Sequence, residues 1–165
     1  MKVWTERPTE EANLLNPSFC CTVLASSMSG YCSVQDRGLA FPLTYMVLPL
    51  VLHKATRDSM PGSIRTTMAA WLQQNASARV QFFDHLISLK PHTAEAIQFG
   101  MIHDWIRLGA GGELETPLSE KNIKRAIGRL SGEARDCAGR AQFVGRWFAM
   151  AGTSNTIMAL WGIRP

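Results

Sequence analysis

The 165 residues amount to about one domain, with enough chain to bury one sizeable core. Hydrophobic residues make up 46% and charged residues only 18%, an ordinary globular mix whose thinly charged surface suits burial against partners. A net charge of +4 is too small by itself to imply a nucleic-acid partner, so the placement of the basic residues matters more than their sum.

Residues 1–13 are polar and aperiodic and read as a loose arm, leaving 14–165 as one helical domain. Glu6, Glu10 and Glu11 precede any apolar run, so the start does not read as a secretory signal. Asn16-Pro17 predicts a capped helix start, with Pro17 at the first helical position. The most apolar stretch, residues 39–52, falls short of the ~20 residues of a membrane span and carries Pro42 and Pro49. A helix is expected over 43–53, kinked where Pro49 lacks its N–H.

Pro61-Gly62-Ser63 predicts a turn ending in a cap, followed by Ile64, Met68, Trp71 and Leu72 at helical spacing. Residues 79–90 predict the next helix, with Phe82, Phe83, Leu86 and Ile87 inward and a stop before Pro91. Thr93 then caps a third helix with an apolar stripe of Ala94, Ile97, Met101, Trp105 and Leu108, ended by the glycines at 109, 111 and 112. Residues 113–116 predict a short strand or hairpin arm. A unit resembling a winged helix is one arrangement open to residues 93–118. Ser119 caps a helix whose inner face is Ile123, Ala126, Ile127 and Leu130. A last long helix over 133–151 carries a stripe of small residues, Ala134, Ala138, Ala141 and Gly145, which invites close approach by another helix. Gly152 stops it, and a short apolar tail follows. The fold class is therefore mainly α, one compact multi-helix domain with at most one small hairpin.

Cys20, Cys21, Cys32 and Cys137 form no CxxC pair and no zinc-knuckle spacing, which fits reduced thiols in a cytoplasm. His85, His103-Asp104 and Asp136 stand in the order of a metal-dependent phosphohydrolase, but Asp84-His85 and His103-Asp104 flank apolar stripes instead of forming a polar pocket. No GxSxG, phosphate loop or HExxH is present. A chain without catalytic residues, metal or cofactor is the expectation. Between positions 121 and 146 lie seven basic residues and two acidic ones, Glu133 and Asp136. Lys121, Lys124, Arg125 and Arg129 share one helix face, a candidate non-specific DNA contact if it is not simply solvated or turned to an acidic partner. Near the end, Trp147 reads as core, while Arg146 and Arg164 offer planar donors to a partner.

Several blocks resemble a known family. Asn16-Pro17-Ser18-Phe19 is similar to the opening of the middle component of bacterial three-component ABC systems. Residues 43–57 resemble its most recognisable block, which here closes on Arg57, a further candidate interface residue. Pro61, Trp71-Leu72 and residues 89–96 follow in the same order. Gly145-Arg146-Trp147-Phe148-Ala149 and residues 156–165 look like the family's end. His92 and Ala94 stand where Tyr and Arg are expected, and Trp161 where Leu is, so no shared side-chain role is carried over there.

The resemblance implies a set of partners: an SMC- or Rad50-like ABC ATPase and an effector, often a nuclease, as in Lamassu-type anti-phage and anti-plasmid systems. It implies an adaptor between them, with no membrane partner. Two other functions stand beside it: a stand-alone helical DNA-binding regulator using the 121–129 stripe, and the metal phosphohydrolase.

Overall fold

The computed structural model describes residues 15–163; the expected arm at 1–13 and Arg164 lie outside them. Among the described residues there are eight helices and one small three-stranded sheet, which confirms the mainly α class. None of these helices is long and apolar enough to cross a membrane.

Helix α1 (Pro17–Cys32) starts as the sequence dictates: Asn16 Oδ1 accepts from the Ser18 N–H at 2.9 Å, and Pro17 fills the first turn. It is apolar or small on every side and buried from Cys20 to Met28, because it is the central helix. Two of its interior hydroxyls are satisfied locally, while that of Ser27 is buried without a hydrogen-bond partner among the described residues. Thr22 donates to the Ser18 carbonyl at 2.9 Å, and Ser26 to the Thr22 carbonyl at 2.7 Å.

The closest neighbour of α1 is α7 (Gly132–Ala151), which lays its small-residue stripe along it. Where the two cross, a Cβ on Gly145 would collide with the Ser27 carbonyl oxygen. One on Gly30 would collide with the Gln142 carbonyl oxygen. Each helix thus presents a glycine to the other's backbone.

Helix α2 (Phe41–Leu52) runs unbroken through Pro49 and buries Leu43, Thr44 and Met46 through Val51. Its final carbonyls meet α3 (Lys54–Ser59), where the Arg57 Nη1 donates to the Val51 carbonyl at 2.7 Å. His53 sits between the two helices and caps α3, its Nδ1 lying 3.4 Å from the Thr56 N–H and 2.7 Å from Thr56 Oγ1. Its ring stacks on His85 at 4.3 Å.

Burial foremost, then the charges of His85 and Arg57, hold His53 below the ordinary histidine value of 6.5. The unfolded chain therefore takes up this proton first, so stability is lost as pH falls through 6.5 and levels off below the folded value. Thermal melts from pH 8 to 5 should show this decline, and His53→Asn, which keeps a capping oxygen, should flatten it. A variant that declines like the parent would assign the effect elsewhere.

Two helix expectations are corrected. Helix α4 (Met68–Gln74) begins four residues later than Ile64. Thr67, not Ser63, caps it, accepting from the Ala70 N–H at 3.2 Å, while Ser63 accepts from the Arg65 N–H inside the preceding turn.

The break expected at Pro91 is absent: α5 (Ala76–Ile102) is a single 27-residue helix. Proline forfeits the bond to the Ile87 carbonyl, and because both residues are exposed, solvent can compensate that loss. Thr93 lies mid-helix and donates to the Leu89 carbonyl at 3.0 Å instead of capping. The inward row is Ala78 and Phe82, then Thr93, Ala96, Ile97 and Gly100. Phe83, Ile87 and Met101 point outward, contrary to the periodicity argument. Leu108 is also exposed and belongs to a strand.

The glycines at 109, 111 and 112 turn a hairpin, Gly109 donating to the Glu113 carbonyl at 2.8 Å. Strands β2 (Arg107–Leu108) and β3 (Glu113–Glu115) form it. The short β1 (Leu39–Ala40), ahead of α2, pairs with the other side of β3 in the antiparallel order β1-β3-β2. Leu39 faces Leu114 across the ladder, and both are fully buried. One helix, not two, leads into this hairpin.

Helix α6 (Glu120–Arg129) is capped by Ser119 and anchored by the fully buried Ile123. After α7, Gly152 takes φ +107° and α8 (Ser154–Leu160) closes over the core. An aromatic cluster fills the space between. Trp71 meets Trp147 edge-on at 5.5 Å, Trp161 lies 4.3 Å from Phe82, and Phe143 lies 5.6 Å from Trp147. The Trp147 indole N–H donates to the Thr66 carbonyl at 2.7 Å, and that of Trp71 to the Ser59 carbonyl at 2.7 Å.

Candidate partner-binding groove

Helix α7 buries one side against α1 and turns the other to an open groove of about 600 Å³. Helical spacing brings Arg135, Asp136, Gly139, Arg140, Phe143 and Arg146 onto that side. The facing wall is Arg57, Asp58 and Gly62 from α3 and the loop after it, and Ile127 comes from α6. Ile127 and Phe143 supply its apolar surface, and four arginines line it.

Three of those arginines are engaged within the chain. Arg57 is only 4% exposed. Besides Val51 its Nη1 reaches Cys137 Sγ at 3.2 Å, its Nη2 pairs with Glu133, and its Nε lies 3.9 Å from Asp58. It pins the ends of α2, α3 and α7 together, so the fold places this candidate interface residue inside. Arg135 donates to the Leu130 carbonyl at 2.8 Å and the Gly128 carbonyl at 3.1 Å, closing the end of α6. Arg140 donates to the Pro61 carbonyl at 3.2 Å and lies over the Phe143 ring at 5.2 Å.

Arg146 differs. It is half-buried, yet among the described residues it makes no hydrogen bond or close ion pair. Its charge reaches Glu120, whose carboxyl is held below the usual range first by the hydrogen bond and charge of Lys124 at 2.8 Å and further by Arg146. A planar guanidinium in a groove with its donors unspent is built to take a carboxylate or phosphate.

The groove is not uniform in charge. Asp58 and Asp136 share the lining with all four arginines, and the charges of Arg57 and Arg140 both reach Asp58. Phe143 lies between Arg140 and Arg146 along α7. Lys54 holds Asp58 ionised through a 2.7 Å hydrogen bond that lowers its pKa.

Lys121, Lys124, Arg125 and Arg129 are all exposed on α6. The phosphohydrolase set is not gathered. His85 stacks on His53, His103 on Phe99 at 4.3 Å, and Asp104 faces Arg107 at 3.5 Å. Among the described residues no three His, Cys, Asp or Glu side chains are placed to hold a metal ion. The thiols are free; burial pushes those of Cys20 and Cys21 up to about 12, so neither is a nucleophile at neutral pH.

Sequence reasoning missed Arg135, Arg140 and Phe143 as groove residues. The signal was present in their recurrence with Arg146 along one side of α7, but it was masked by the stronger small-residue stripe opposite.

Comparison with known proteins gives one family match: the family described as ABC-three component (ABC-3C) system Middle Component 3 matches residues 4–165. No curated protein and no solved structure matches the chain.

Proposed function

Because the chain belongs to the Middle Component 3 family of ABC-three component systems, we propose that it is a non-catalytic adaptor bridging an SMC- or Rad50-like ABC ATPase and an effector, such as a nuclease. The setting proposed is the cytoplasm, in a Lamassu-type defence against phages or plasmids. The observation that carries the adaptor reading is Arg146, a half-buried guanidinium that makes no hydrogen bond among the described residues, set in a groove beside Ile127 and Phe143. Such a group binds another component's carboxylate or phosphate at little conformational cost.

Co-expression with the neighbouring genes tests it. The tagged chain should retain an ABC ATPase and a third component through size exclusion, and the purified chain should hydrolyse neither nucleotide nor nucleic acid. A chain that stays alone, or metal-dependent turnover lost in both His103→Ala and Asp104→Ala, would sink the adaptor reading.

A second contact rests on the exposed face of α6. Lys121, Lys124, Arg125 and Arg129 are proposed to touch DNA within the assembled complex. Glu120 neutralises Lys124 in part, so Arg125 and Arg129 should matter most. Reversing Lys124, Arg125 and Arg129 together should weaken DNA retention and flatten the log–log salt dependence by roughly one unit per lost phosphate contact. An unchanged slope would return this face to solvent or to a protein partner.

A further inference from the structure

We propose that the groove along α7 receives an extended segment of a partner subunit that presents an acidic side chain to Arg146 and Arg140. This rests on the adaptor reading and names the chemistry of what the adaptor holds. Arg146 supplies the planar fork, and Arg140 a second cation whose Nε and Nη2 are not used by the Pro61 carbonyl. An apolar side chain beside the acidic one lies between them, against Ile127 and Phe143, which line the same groove.

The mixed charge of the lining favours a peptide over a nucleic acid. Asp58 and Asp136 stand among the arginines. A phosphate backbone carries negative charge along its whole length, so a strand in the groove would gain at the arginines and meet both carboxylates as well. A polypeptide changes sign from one residue to the next and can satisfy both. The exposed stripe of α6 carries four cations and is the better surface for a duplex.

Position 139 gives a direct test. Gly139 lines the groove, and a Cβ built there meets nothing within 4 Å. A side chain can therefore leave the backbone there without a clash at Cβ, and a photo-crosslinking residue is placed at this position. In the complex purified with the ATPase and effector, irradiation should join position 139 to a single partner segment containing Asp or Glu. Arg146→Glu should abolish that crosslink and weaken subunit capture by roughly a hundredfold or more, and Arg146→Lys by roughly tenfold. Since Arg146 makes no hydrogen bond among the described residues, Arg146→Lys should keep the parent melting temperature, and Arg146→Glu, which replaces an attraction for the exposed Glu120 by a repulsion, should lower it only slightly.

Crosslinks to nucleic acid, crosslinks to a basic segment, or an intact complex that yields none would overturn the proposal. So would Arg146→Glu binding its partners like the parent. A native chain that captures no partner at all fails differently: it removes the adaptor reading, and this proposal with it.

Discussion

Gly145→Ala should destabilise the protein by about 3 kcal/mol, although it adds one methyl group to a residue with ordinary helical geometry. The added carbon points into the backbone of α1. It would meet the Ser27 carbonyl oxygen in direct collision and the Tyr31 nitrogen at 2.8 Å. Side chains can rotate out of the way, but helix backbones cannot, so α1 and α7 must separate along their whole contact. Overpacking of a tight core costs ~1–3 kcal/mol and sometimes more, and a backbone–backbone clash belongs at the upper end.

For a chain of this size that means a fall in Tm of roughly 6–12 °C. Gly139→Ala on the same helix is the control. Its Cβ has open space, so helix propensity alone should leave it neutral or raise stability by up to ~1 kcal/mol. Calorimetry of the pair separates packing from propensity. Equal behaviour of the two variants would mean that the helices do not cross at glycine.

Trp147→Ala is expected to cost about 3–5 kcal/mol and to leave the isolated subunit largely unfolded at 37 °C. The side chain is 1% exposed and joins three parts of the chain. It meets Trp71 of α4 edge-on, packs beside Phe143 of its own helix, and its indole N–H holds the Thr66 carbonyl in the loop before α4. Removing it creates a large apolar cavity and leaves that carbonyl without its donor. Urea titration followed by tryptophan fluorescence should show a lower midpoint. Trp147→Phe should fall between parent and alanine, losing the hydrogen bond but most of the cavity penalty too. A folded Trp147→Ala protein of parental stability would contradict a core role and direct attention to partner binding.

Local chemistry carried most of what was legible in the sequence. Asn16-Pro17, Ser119 and the small-residue stripe of α7 each state a physical requirement that few residues meet, and the structure places each where expected. The strand or hairpin arm expected at 113–116 is β3, whereas the helix expected to run up to the glycines stops at Ile102. What failed were inferences requiring knowledge of the other side of a contact. Pro91 reads as a helix stop because it lacks an N–H, but whether that costs anything depends on which way the Ile87 carbonyl faces. Phe83 and Ile87 read as core because they are apolar, yet α5 already buries Phe82 and its row inward and leaves them outside. β1 was invisible because two residues have no periodicity.

The groove was half legible. Arg146 was found as a residue type suited to partners, but the engagement of Arg57 and Arg135 inside the fold follows from tertiary neighbours that no spacing along the chain reveals.

The pairing of α1 with α7 also bears on how the chain is made. These helices are neighbours in space but separated by roughly 100 residues of sequence, and Gln35 closes the same gap through a 3.0 Å hydrogen bond to the Ala149 carbonyl. At ~5–20 residues per second, the all-round apolar α1 leaves the ribosome several seconds before the surface that will cover it has been synthesised. During that interval its sticky flanks are open to any chaperone or nascent neighbour. An assembly whose subunits are translated from one message would place a proper partner within reach at the moment of greatest exposure.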